Sequence, residues 1–217
     1  MRDVFQQELK EVRDSLVSIC ELAVIAIEKA TESFQTSNIA LSEEVISHEP
    51  EIDERTSKLD ELVIDILTRQ QPVASDLRLM VISLRVSASL ERIGDLAEHI
   101  ALLTRYRYPE NVVPEPLRPI FMRMGQVGVR MANTLVSLIG TQDLSLINQI
   151  RDLDDELDEL HASVFGKVLS ETFAGERATV VDATLASHYY ERIGDHIVSI
   201  AKKIGYLVEG TGFHGNP

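Results

Sequence analysis

The stretch Glu91-Arg92-Ile93-Gly94-Asp95 returns as Glu191-Arg192-Ile193-Gly194-Asp195, one hundred positions later. Five identical residues at one fixed offset mark an internal duplication, so the two halves must share one fold. In each copy Glu and Asp stand four apart, which on a helix places both carboxylates on one face. Leu77, Val81, Leu84, Ala88, Glu91, Asp95, Glu98 and Leu102 follow a 4-3 rhythm, as do Val181, Thr184, His188, Glu191, Asp195 and Val198. Such a stripe predicts the buried seam of a helix. An unpaired charge in a buried seam is too costly to keep, so the pattern requires a positive partner.

The same periodicity runs through the rest of the chain. It predicts a first helix over 3–36, with Leu9, Val12, Leu16, Ile19 and Ala23 on one stripe. A second, over 39–70, carries Val45, Glu49, Ile52, Thr56, Leu59, Val63 and Ile66 and has Asn38 in position to cap it. Gln71-Pro72-Val73-Ala74-Ser75 breaks the rhythm, with Ser75 the expected cap of a third helix over 76–107. Four prolines crowd residues 108–119 and mark a linker. Beyond it the plan repeats: a helix over 117–139 closed by Gly140, a fifth capped by Asp143 and reaching about 172, and a sixth over 178–208. The expected architecture is all-α, two tandem three-helix bundles related by an internal pseudo-twofold. Residues 1–107 form the first bundle, 108–119 the linker, 117–208 the second bundle and 209–217 a flexible tail.

Composition narrows the functions open to such a chain. A formal charge of −14 gives no attraction to phosphate backbones, so no nucleic-acid partner is expected. The single cysteine, Cys20, excludes an intramolecular disulfide and suits a cytoplasmic location, where it is read as a core residue. The first residues lack the apolar core of a secretory signal. The longest apolar run, Leu22 to Ile27, is far short of the ~20 residues that span a bilayer, so membrane association is expected only through partners.

The helix before each signature carries a matching acidic pair. Glu49-Pro50-Glu51-Ile52-Asp53 aligns with Asp154-Asp155-Glu156-Leu157-Asp158 at an offset of 105. Glu49 and Asp53 are expected to face Glu91 and Asp95, and Asp154 and Asp158 to face Glu191 and Asp195. Four close carboxylates repel, each pair by up to ~4 kcal/mol at 4 Å and an effective dielectric of about 20. Bound cations are the expected answer, and all-oxygen ligation favours hard ions such as Mg²⁺, Mn²⁺, Ca²⁺ or iron over structural zinc. Glu98 extends the first set where Val198 stands in the second, and His188 replaces Ala88, so the two sites are expected to differ. His188 and His161 are read as supporting residues beside the ligands before ligands themselves. Gly94 and Gly194 leave room for close packing, and Arg92 and Arg192 are placed to brace neighbouring acids.

The doubled signature, the preceding acid-x-x-x-Asp pairs and Gln71-Pro72-Val73-Ala74-Ser75-Asp76-Leu77-Arg78 together resemble the PhoU family of bacterial phosphate-uptake regulators, over about residues 1 to 208. The resemblance implies two three-helix bundles, each holding a multinuclear metal cluster through Glu49, Asp53, Glu91 and Asp95 or Asp154, Asp158, Glu191 and Asp195. It implies a cytoplasmic protein that damps the phosphate-starvation response by linking the phosphate transporter's ATPase subunit to a sensor histidine kinase, with a homodimer as one arrangement. Where family members commonly carry Asn four residues past the signature Asp, this chain has His99 and Ser199.

The rival reading is a carboxylate-bridged metalloenzyme of the oxidase type. Di-iron enzymes of helical bundles use Glu-x-x-His on two helices. This chain has no Glu-x-x-His, one Asp-x-x-His (Asp158 to His161) and no nucleophile or phosphate-loop motif, so no catalytic residue is assigned.

Overall fold

The computed structural model describes residues 2–171, 173 and 175–210. Six helices make up the molecule: α1 (Arg2–Thr36), α2 (Ile39–Gln70), α3 (Ala74–Arg107), α4 (Arg118–Thr141), α5 (Ser145–Val168) and α6 (Arg177–Glu209). There is no strand among the described residues. The first three pack on one another as one bundle and the last three as a second.

Helix ends follow local chemistry, with some corrections to the expected caps. Asn38 accepts from the N–H groups of Ala40 and Leu41 at 3.1 and 3.4 Å and so starts α2 as expected. Asp143 accepts from the Ser145 N–H at 3.0 Å at the start of α5. Ser75 is not a cap: α2 ends on Gln71 in the left-handed region, Val73 is extended, and Ser75 already lies in the first turn of α3. Gly140 does not close α4 either. Gln142 takes the left-handed position (φ 56°) and donates its N–H to the Leu138 carbonyl at 2.8 Å. α5 stops at Val168, short of the expected 172, a position outside the described residues. Of the expected tail, Glu209 ends α6 and Gly210 caps it, while residues 211–217 lie outside the described residues.

The expected stripes of α1 and α4 are buried, with Leu9, Val12, Leu16, Phe121, Met124 and Leu135 all in the core. Cys20 is core too. Burial and the neighbouring Glu21 push its thiol up to about 12, so it stays protonated at neutral pH and packs as a small hydrophobe.

The seam expected on α3 is displaced. Leu77 and Val81 are each 42 % exposed, and Ala88 is exposed as well. The buried stripe is the neighbouring one: Leu79, Ser83, Val86, Leu90, Ile93, Ala97 and Ile100. In α6 the same shift leaves Val181 56 % exposed and His188 exposed, while Ala183, Tyr190, Ile193 and Ile197 are buried. The physical reason is that α3 packs against α1, α2 and α6, and α6 against α3, α4 and α5. A helix with three neighbours is apolar over most of its circumference, and periodicity alone does not say which stripe lies deepest. Glu91, Asp95 and Glu98 therefore sit half-buried on the shoulder of the core.

The two bundles meet through equivalent helices, α1 against α4 and α3 against α6, as a pseudo-twofold requires. Phe34 of α1 stacks on Phe121 of α4 with centroids 5.3 Å apart, and the fully buried Tyr190 of α6 donates to Thr31 Oγ1 at 3.2 Å. Along α3 and α6, Arg78 reaches the Leu207 carbonyl at 3.5 Å, His99 lies against Tyr189 at 5.2 Å, and Arg107 Nε meets the buried Asp182 at 2.5 Å. Residue numbers rise on one helix as they fall on the other, so the pair is antiparallel. In that register each signature lies level with its own copy, and Arg92 acts electrostatically on His196 across the contact. The duplicated signatures thus flank the axis between the halves.

Candidate metal centre

Each signature faces the preceding helix of its own bundle. In the first half, Ile52 of α2 packs where a Cβ on Gly94 would stand, at 3.0 Å from that position. In the second, a Cβ on Gly194 would come within 2.8 Å of both Asp154 Oδ1 and Leu157 Cδ2. The glycine in each signature is therefore what lets the two helices approach. Antiparallel pairing then sets the acids level in rungs: Glu49 with Asp95 and Asp53 with Glu91 in the first bundle, Asp154 with Asp195 and Asp158 with Glu191 in the second.

The first groove is assembled most tightly. Carboxylate oxygens of Glu49, Asp53 and Asp95 all lie within 4.8 Å of one another. Burial, then the charges of Asp53, Glu98 and Asp95 and a hydrogen bond shared with Asp53, push the Glu49 carboxyl up to about 7. Glu91 stands outside this triad, and its carboxyl is also raised, by burial and then by Asp53 and Asp95, against the opposing charge of Arg92. Arg92 reaches Asp95 at 2.6 Å, the bracing role expected of it.

The second groove is more open. Burial, then Asp158 and Asp195, push Asp154 up to about 6, with Lys202 acting the other way. Asp195 is half exposed and tied to Arg192 at 3.2 Å. Among the described residues its carboxylates form no group as close as the first triad. Glu191 instead has a histidine beside it: His188 Nδ1 lies 3.2 Å from Glu191 Oε2. That N–H is not aligned on the oxygen, so Oε2 is buried without a hydrogen-bond partner.

Two participants were not singled out from the sequence. Asp60 lies one further step along α2, its carboxyl raised by burial, with Oδ1 buried and unpartnered. Its 4-3 spacing from Asp53 through Thr56 was the available signal. Lys202, two turns past Asp195, is the other, and no acidic motif points to a lysine.

Half-buried carboxylates held close by packed helices, one of them kept partly protonated by its neighbours, are a donor set that fits hard cations with oxygen ligation. The orphaned oxygens of Asp60 and Glu191 are further acceptors in the two grooves with nothing in the protein to satisfy them.

Comparison with known proteins agrees with this geometry. The PhoU domain profile matches twice, over residues 16–104 and 121–204. The chain is 34% identical over 211 residues to the phosphate-specific transport system accessory protein PhoU homolog 1 of Mycobacterium leprae, covering 97% of this chain and 95% of that protein. It is also 34% identical to PhoU homolog 2 of Mycobacterium tuberculosis, covering 97% and 99% respectively. The crystal structure of PhoU from Pseudomonas aeruginosa superposes with a TM-score of 0.83 at 26% identity, over 95% of this chain and all of that one. With one domain matched in both halves, each ending in the signature groove, this chain belongs to the PhoU family.

Proposed function

We propose that this protein is a cytoplasmic, metal-binding accessory protein of a phosphate transport system, restraining phosphate uptake and the phosphate-starvation response. In this role it links the transporter's ATPase subunit to a sensor histidine kinase. The observation that carries the reading is the match, over nearly the whole chain, to relatives named as phosphate-specific transport system accessory proteins. No helix among the described residues is long and apolar enough to cross a membrane, which is consistent with contact to the transporter from outside the bilayer. The acidic surface suits basic patches on partners.

Metal belongs to this reading as a structural element. Glu49, Asp53, Glu91 and Asp95 would hold it in the first bundle, joined by Asp60 and Glu98, and Asp154, Asp158, Glu191 and Asp195 in the second. Iron, manganese or magnesium suit the first donor set. When bound, such a cation supplies the positive charge that offsets carboxylate repulsion and ties α2 to α3 or α5 to α6. Gly94 and Gly194 set the helix separation, and Arg92 and Arg192 hold the outer acids in place.

Deleting the gene is expected to derepress phosphate-scavenging genes in phosphate-rich medium. The protein should co-purify with the ATPase subunit or the kinase, less well as ionic strength rises and screening shortens the reach of its charge. Unchanged phosphate-regulated expression after deletion, in a host with no second homologue, overturns the reading.

A further inference from the structure

The rung pattern of the second bundle continues one step beyond its carboxylates. Asp158 is followed three residues later by His161 on α5, and Glu191 is preceded three residues earlier by His188 on α6. On parallel strands of sequence these look like unrelated spacings, Asp-x-x-His and His-x-x-Glu. On antiparallel helices they are the same arrangement, and the structure brings the two imidazoles together with ring centroids 6.4 Å apart. The equivalent rung of the first bundle is Thr56 and Ala88, which offers no such ligand.

Three observations give this corner the character of a binding site. His161 Nδ1 is buried and has no hydrogen-bond partner, and neither has Glu191 Oε2. Phe165 meets the His161 ring edge-on at 5.0 Å and fixes it against α5, at the position where the first bundle carries Asp60. His188 is 53 % exposed while Glu191 is only 22 % exposed, so the groove has an open mouth over a partly desolvated floor.

We propose that Asp158, His161, His188 and Glu191 form a mixed nitrogen–oxygen site for a divalent transition-metal ion, different in kind from the all-carboxylate triad of the first bundle. This rests on the reading that the grooves hold metal, and it assigns each groove a different metal class. Imidazole ligands favour zinc, iron(II), cobalt or nickel, whereas carboxylate oxygens alone suit magnesium, calcium or manganese. Two rings at this separation can each turn a nitrogen toward one ion between them, at the ~2.0–2.1 Å of a metal–imidazole bond. The carboxylate beside His188 is the kind of neighbour that holds a ligating imidazole in one tautomer.

The test uses the full chain, stripped of metal and titrated with Zn²⁺ by calorimetry, alongside ¹H–¹⁵N spectra of the imidazole groups. Zn²⁺ should shift the His161 and His188 resonances and leave His48 and His99 in place. His188→Gln should weaken the tightest Zn²⁺ phase by more than the ~10–100-fold that loss of a supporting partner costs. Because His188 is half exposed, this variant keeps the packing, and circular dichroism verifies that. Glu49→Gln with Asp95→Asn should leave that phase intact and remove Mn²⁺ binding. If Zn²⁺ binds with both imidazoles unmoved and His188→Gln binds as the parent does, the mixed site is wrong while the metal reading stands. If neither Zn²⁺ nor Mn²⁺ binds anywhere, both are overturned.

Discussion

The groove between α2 and α3 carries Glu49, Asp53, Asp60, Glu91, Asp95 and Glu98, whereas that between α5 and α6 carries Asp154, Asp158, Glu191 and Asp195, with His161, His188 and Lys202 around them. Both are framed by the same signature and the same glycine. Duplication has kept the part that fixes helix spacing and has let the flanking rungs diverge. Where the first half adds acids at both ends of the ladder, the second adds imidazoles at one end and an ammonium near the other. The lesson is that the signature builds the groove while its neighbours decide how much negative charge the groove must have offset.

The largest expected effect follows from that charge difference. Removing metal should lower the melting temperature, because a ligand held only by the folded state stabilises it by ~2.7 kcal/mol at one hundred times its dissociation constant. For a chain of this size that is a loss of about 5–10 °C. Glu49→Gln with Asp95→Asn should abolish most of the chelator's effect, and the matching Asp154→Asn with Asp195→Asn should abolish less. Scanning calorimetry with and without chelator measures both. Equal effects from the two pairs would break the comparison, and a melting curve indifferent to chelator would remove its basis.

The glycines come next. A Cβ at Gly194 would press on Asp154 Oδ1 and Leu157 Cδ2, both at 2.8 Å, while at Gly94 it would meet the flexible end of Ile52 at 3.0 Å. Gly194→Ala should therefore destabilise by ~1–3 kcal/mol, the usual cost of overpacking, and Gly94→Ala by less. Denaturant midpoints at constant slope would rank them, and the reverse order would show that the α2–α3 contact is the less yielding one.

Acidity should separate the grooves more gently. A carboxyl whose folded pKa is raised binds its proton more tightly folded than unfolded. The contribution of Glu49 is thus fully present below about 4.5 and is lost as pH rises through about 7. For Asp154 the window is about 3.8 to 6. Metal-free protein should melt higher as pH falls from 8 toward 5, with Glu49→Gln flattening the upper part of that rise and Asp154→Asn only the lower. A metal-free melting temperature that climbs with pH over this range would contradict the sign.

The arginines should matter least. Arg92→Ala frees Asp95, which is three-quarters buried, and Arg192→Ala frees the half-exposed Asp195. Both are solvent-facing pairs of the kind that contribute little. A small drop in melting temperature for the first and none for the second is expected in metal-free protein. A larger drop for Arg192→Ala would mean that the second groove is the more strongly coupled.

The six helices were legible because a 3.6-residue period sustained over 24 to 35 residues has no competing interpretation. Breaks at Asn38 and Pro72 and around the proline cluster were legible for equally local reasons. The depth of the stripe on α3 was not. With Leu77 and Val81 as apolar as Leu79 and Ile82, the rhythm fits two adjacent faces, and only the neighbours choose between them. Asp60 was missed for a related reason, since a lone acid one turn beyond a motif resembles any surface acid until its oxygen is found buried.

The histidine rung shows the same division most sharply. A search for carboxylate-x-x-His in one direction finds only Asp158 and His161, because sequence spacing has a direction and helix pairing reverses it. By itself the sequence determined the duplication, the helices, the glycine that permits close approach and the four acidic pairs, all of which are encoded within a few turns of chain. The tertiary structure alone decided which acids share a rung, which shoulder of α3 and α6 they occupy and that two imidazoles meet. Those depend on the antiparallel register of helices whose contacting residues lie about 27 to 46 positions apart, and register is set by packing across the bundle rather than by any local pattern.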